Sequence, residues 1–143
     1  MSASVSGQQT WYTIDEHLYN EYSEIKQKNK TNPHHYSNKL ETKDIFLFSI
    51  VMAVKNGRTP QPSKKAHWFT RTITLRDKDA AILNSLIFAY KKDISILFDE
   101  NISKFRELAE KLANAGMPDV LQLLENEDET EKLILLESKK IKP

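Results

Sequence analysis

The residues best suited to chemistry in this chain are concentrated between Arg58 and Lys78. Six bases (Arg58, Lys64, Lys65, Arg71, Arg76, Lys78) stand there against the single acid Asp77, with Trp68 and Phe69 in their midst. Cationic side chains neutralise phosphates and aromatic faces stack on bases. Arg58, Lys64, Lys65, Trp68, Arg71 and Arg76 are therefore the candidate nucleic-acid contacts. The competing reading of the same segment is a solvated loop or short strand whose Trp68 and Ile73 cover the core. Two smaller groups carry less. His34 and His35 are adjacent in a polar connector, 27–38, that reads as solvated. A metal needs ligands converging from several elements, and the other histidines, His17 and His67, lie on different segments. Asp77 and Asp79 form a carboxylate pair, but residues two apart face different directions on a helix, so capping explains them better than acid–base work. The sequence thus predicts no catalytic residues, no metal, no cofactor and no enzyme activity.

Composition narrows the classes further. The chain has 143 residues, a formal net charge of +1, 29% charged and 39% hydrophobic residues, which fits one globular domain with a real core. Three glycines leave no Gly-rich phosphate loop, and the absence of cysteine excludes disulfides, Cys-ligated zinc and thiol nucleophiles. The first ten residues lack the basic and apolar regions of a secretory signal. A cytoplasmic location is the expectation.

The elements that must position these residues are organised around 43–57, KDIFLFSIVMAVKNG. This run is apolar on nearly every side but stops after about ten apolar residues, short of the ~20 that a bilayer span requires. It reads as a central helix over 43–55, buried on all sides, with Thr42 as N-cap, Asp44 in the first turn and Asn56-Gly57 as a left-handed C-terminal cap. Upstream, 1–10 reads as a flexible tail. Thr13 and Glu16 have the spacing of a capping box, and Ile14, Leu18, Tyr22 and Ile25 follow at helical intervals, giving a helix over about 13–28. Downstream, Pro60 and Pro62 favour extended or turned backbone, and 69–73 alternates like a strand, so a short β-hairpin or extended loop is expected in 60–75. A second helix with a wide apolar face follows over about 78–91. The segment 94–98 is either a helical turn or a brief extended step. A third helix runs from about 103 to 115, ended by Asn114-Ala115-Gly116, and Pro118 opens a further short one.

The fold class predicted is mainly α: a compact single domain, 11–125, of four to six helices around 43–55, followed by a charged and apolar segment, 126–143. In that last segment the acids of 125–131 precede the wholly apolar Leu133, Ile134, Leu135 and Leu136, either an edge strand, a helix or a sticky tail. These four residues, with Trp11 and Tyr12, are the candidate contacts for a protein partner. The competing reading of Trp11 and Tyr12 is that they pack on the core.

Several stretches carry a resemblance: Lys43-Asp44-Ile45-Phe46-Leu47-Phe48, Val54-Lys55-Asn56-Gly57-Arg58, Ala81-Ile82-Leu83-Asn84, Ile94-Ser95-Ile96-Leu97-Phe98-Asp99 and Leu112-Ala113-Asn114-Ala115-Gly116. In this order they are similar to small bacterial proteins encoded beside DNA phosphorothioation (Dnd) gene clusters, over about 40–125. The resemblance implies an accessory or adapter subunit of a DNA-modification or antiphage defence complex, with protein subunits as partners and no catalytic residues. The alternative is a weak, sequence-nonspecific nucleic-acid-binding module using the basic segment, with DNA as partner. Neither reading involves a membrane.

Overall fold

The computed structural model describes residues 11–127; the 1–10 segment and the apolar Leu133–Leu136 fall outside the described residues. In chain order the elements are strand β1 (Trp11–Asp15), helices α1 (Glu16–Lys28), α2 (Tyr36–Lys39) and α3 (Thr42–Lys55), strand β2 (Ala66–Arg71), and helices α4 (Asp77–Lys91) and α5 (Ile102–Glu125). Short 3-10 turns occupy Thr72–Thr74, Ile94–Leu97 and Asp99–Asn101. Five α-helices and one two-stranded antiparallel ribbon make the fold mainly α.

The central helix forms where the apolar run predicts it. Its first turn is capped one residue early: the Glu41 N–H donates to Asp44 Oδ2 at 2.9 Å, and Thr42 is already helical. At the other end Gly57 takes φ +63° and Arg58 N–H reaches back to the Ala53 carbonyl at 2.8 Å. A left-handed glycine after the last helical turn closes it in this way. Ile45, Phe46, Leu47, Ile50 and Ala53 are buried, but Phe48 is exposed and Val51, Met52 and Val54 are only half-buried. The helix therefore lies at one side of the core with an outer strip, and is not enclosed all round.

Its principal neighbour is α5, and here the helix boundary expected at Asn114-Ala115-Gly116 is corrected. The helix runs unbroken for 24 residues through Gly116 and Pro118. Gly116 is buried against α3, where a β-carbon would overlap the Ser49 carbonyl oxygen and press on the Ala53 backbone nitrogen. The glycine serves close backbone approach instead of a left-handed turn. Ala53, Ala109 and Ala113, all fully buried, keep the same contact narrow. Ser49, fully buried in this seam, satisfies its hydroxyl on the Ile45 carbonyl at 2.7 Å.

The N-terminal segment is also corrected. Trp11–Asp15 is a strand, and Asp15, not Thr13, caps α1, accepting from His17 N–H at 3.2 Å. Its partner is β2, with Trp11 opposite Arg71 and Asp15 opposite Ala66, and an irregularity between Tyr12 and Thr13. The strand-like reading of 69–73 is thus partly right, but the pairing is long-range and not a local hairpin. Sequence periodicity misses it because a five-residue strand offers only two buried side chains, Tyr12 and Ile14.

What holds β1 in place is a polar ladder from α5. Arg106 donates to the Trp11 carbonyl at 2.6 Å, Glu110 accepts from Thr13 N–H and Oγ1–H at 2.6 and 2.8 Å, and Asn114 Oδ1 accepts from Asp15 N–H at 2.8 Å. Four helical residues rise about 6 Å and two strand residues about 6.6 Å, so the two repeats stay in step. The free edge of the ribbon is satisfied by side chains in place of a third strand.

Two stability tests follow from this packing. A Gly→Ala change in an ordinary helix interior gains about 1 kcal/mol. Gly116→Ala is expected to lose about 1–3 kcal/mol in urea denaturation, because overpacking separates α3 from α5. Phe46→Ala is expected to cost about 3–5 kcal/mol, and Val51→Ala distinctly less, since Val51 is half-buried.

Candidate functional site

Three places in the described residues bring polar or aromatic groups together. The first is buried. His35, expected in a solvated loop, is inside the protein beside Ser37 and Glu127. The Leu124 carbonyl, 3.1 Å from Nε2, can only accept, so that nitrogen carries the proton and Nδ1 accepts from Ser37 Oγ–H at 2.7 Å. Glu127 lies 3.5 Å from Nε2 and accepts from Tyr36 N–H at 2.9 Å. Serine, histidine and carboxylate together suggest a nucleophile and its base, but Ser37 is fully buried and no substrate can reach its hydroxyl. The cluster ties α2 to the end of α5. His34 stays exposed, and no group of three metal-ligating side chains occurs among the described residues.

The second is the pair Lys43–Asp79, with Nζ 2.7 Å from Oδ2 and both side chains largely buried. Asp79 also accepts from Arg76 N–H at 2.9 Å, so it caps α4 from the third helical position, with Arg76 at the N-cap in place of the expected Asp77 or Asp79, and it anchors that helix to α3. The hydrogen bond from Lys43, aided by that from Arg76, holds the Asp79 carboxyl below the usual range against the effect of burial. Lys43 is raised in return, chiefly by its hydrogen bond to Asp79.

The third is a groove of about 560 Å³ between the ribbon and α1. Its aromatic lining is paired: Trp11 stacks on Trp68 with ring centroids 5.6 Å apart, and Tyr19 on His67 at 3.8 Å. Phe69 and Tyr22 close the floor, edge to face at 5.3 Å. The Tyr22 hydroxyl is buried without a hydrogen-bond partner among the described residues, and burial raises its pKa. Lys26 and Lys30 stand on the rim.

The candidate contacts predicted from sequence separate accordingly. The basic segment is not one face. Arg58 makes a forked bond to Asp119, at 2.9 Å to Oδ1 and 3.2 Å to Oδ2, where α3 ends. Lys65 lies 3.4 Å from Glu16, and the Lys64 N–H donates to Asp15 at 2.8 Å. The Asp15 carboxyl is below its usual range; burial opposes this, but donors at Lys64, Lys65 and His17 outweigh it. Arg76 is exposed at the start of α4. Of these candidates only Trp68 lines the groove; Arg71 stands next to it, its guanidinium 5.8 Å from the Trp11 ring centre. Trp68 is 65% exposed and Ile73 79%, so neither covers the core; Phe69 does. Tyr12 is buried, stacked on Phe46 at 4.8 Å beneath the Arg106 guanidinium, and is lost as an external contact. Lys26 and Tyr19 were missed because helical spacing assigns them to α1 and says nothing of the strand packed beside it, and Lys30 because it lies in the polar connector that follows that helix.

A further surface was hidden in the apolar face expected for α4. Of that face only Leu83 and Ile87 are buried among the apolar residues; Ile82, Phe88 and Tyr90 are exposed, as are Ile94, Phe98 and Ile102 just beyond.

Comparison of the chain with protein-family models, with characterised proteins and with solved structures finds no match.

The Lys43–Asp79 pair predicts a pH dependence. A carboxyl lowered on folding stabilises above its unfolded value, about 3.9, and that stabilisation is lost as pH falls through the lower folded value. The raised lysine stabilises below about 10.4 and loses its effect as pH rises through its folded value. Asp79→Asn should therefore lower the melting temperature at neutral pH, and thermal melts should show the gap to wild type closing once the pH drops below about 4.

Proposed function

We propose that this protein is a non-catalytic adapter subunit that acts through protein–protein contacts. The observation that carries the reading is the apolar surface left open between α4 and the start of α5. Ile94 is 60% and Phe98 51% exposed, and Ile82, Phe88, Tyr90 and Ile102 are also exposed within the same twenty-one residues, 82–102. Exposed apolar side chains this frequent along one short segment support an interaction surface there. The Lys43–Asp79 tie and the buried Leu83 and Ile87 hold α4 in place, which offers its outer side chains on a fixed element. Aromatic and aliphatic anchors on a fixed element suit a binding surface. The resemblance read from the sequence over 40–125, to accessory proteins encoded beside DNA phosphorothioation clusters, implies the same role, with subunits of a DNA-modification or defence complex as the proposed partners.

Affinity purification from the native host, with Ile94→Asp, Phe98→Asp as the control, tests this. Wild type is expected to bring down one stoichiometric protein whose recovery hardly changes between low and high salt, and the variant to lose it while keeping the wild-type circular dichroism spectrum. Recovery of wild type as a lone monomer would overturn the proposal.

A further inference from the structure

The groove beside α1 has a chemistry that the adapter role does not use. Its lining residues combine aromatic rings with Lys26 and Lys30 and include no carboxylate. Arg71 adds a third cation at the Trp11 end. In a chain whose net charge is +1, with Arg58 and Lys65 set against Asp119 and Glu16, this is a local excess of positive charge beside stacked rings. Trp68 is covered by Trp11 on one side and remains 65% exposed. An indole so open, held by a paired strand, is a ready platform for another flat ring.

We propose that this groove binds single-stranded nucleic acid, with bases stacking against Trp68 and the Tyr19–His67 pair and the phosphates running along Lys26 and Lys30. Two separate aromatic pairs in one groove offer places for more than one base, which favours a strand over a single nucleotide. A duplex buries its base faces and cannot use the platform. Stacking accepts any base, so recognition is indifferent to sequence. Negatively charged peptides would use the lysines but not the rings.

The test is a fluorescence anisotropy titration of a labelled oligothymidylate of about twelve residues, with intrinsic tryptophan emission followed in parallel. A duplex of equal length, thymidine monophosphate and a polyglutamate peptide serve as competitors. Binding with quenched tryptophan emission is expected, and two lysine–phosphate contacts should give a log–log salt slope of about −1.4. Trp68→Ala should weaken binding about 5- to 150-fold, the range for removing one base–aromatic stack. Lys26→Glu, Lys30→Glu should weaken it most at low salt. These three side chains are exposed, and thermal melts confirm that each variant is folded; if Trp68→Ala is not, the lysine variant and the quenching decide. The proposal is overturned by any of four results. These are no binding at low salt, both variants binding like wild type, duplex or monophosphate competing as well as the strand, and polyglutamate binding that ignores Trp68.

Discussion

At the crossing of α3 and α5, Gly116 meets the Ser49 carbonyl with no space for a β-carbon, and the rest of the fold depends on that approach. It lets two long helices share a narrow seam of alanines while Phe46, Ile50, Leu112 and Met117 fill the volume around it. Interiors packed this densely transmit small displacements. A wider crossing would therefore shift α5 along its length, and α5 is the element that everything else is attached to. Asn114 illustrates the coupling: two residues before the glycine, it holds Asp15 N–H and also donates to the Gln61 carbonyl and Ser63 hydroxyl at 2.9 Å each.

The ribbon is positioned by α5 and in turn positions the groove. Arg106, Glu110 and Asn114 satisfy one edge of β1, and β2 pairs with the other. With its backbone groups engaged on both sides, β1 turns Tyr12 and Ile14 inward and leaves Trp11 outward against Trp68. Asp15 then closes the corner, capping α1 and gathering the Lys64 and Lys65 N–H groups, so that α1 leaves at a fixed angle and brings Tyr19 over His67. The aromatic groove is a consequence of that corner.

Charge is distributed by the same logic. Ion pairs work as ties: the largely buried Lys43 with Asp79 between α3 and α4, and the exposed Arg58 with Asp119 between the end of α3 and α5. Pairs of this kind specify geometry more than they add stability. Lys26 and Lys30, by contrast, line a groove that has no carboxylate among its lining residues. Two surfaces of different chemistry result, one apolar around α4 and one aromatic and cationic beside α1, on a frame that is rigid between them.

The mainly helical class, the central helix with its glycine cap, and the capping role of Asp79 were legible in the sequence because each depends on local chemistry: an apolar run, a left-handed turn, a carboxylate in a first turn. The same local grammar misread Asn114-Ala115-Gly116, since a glycine that ends a helix and one that admits a neighbouring backbone look alike until the neighbour is placed. It also read Thr13 as a cap, because nothing nearby announces that β2, fifty residues later, will pair with it. The cluster of bases between Arg58 and Lys78 was visible, but which of them share a surface was decided by acids far along the chain, Asp119 and Glu16 among them. Burial of His35 and exposure of Trp68 likewise depend on partners at long range. Sequence by itself determined the helical class and the position of the central helix, which rest on local chemistry; tertiary structure alone decided which side chains meet, because pairing, edge satisfaction and close packing are properties of segments brought together and not of either segment.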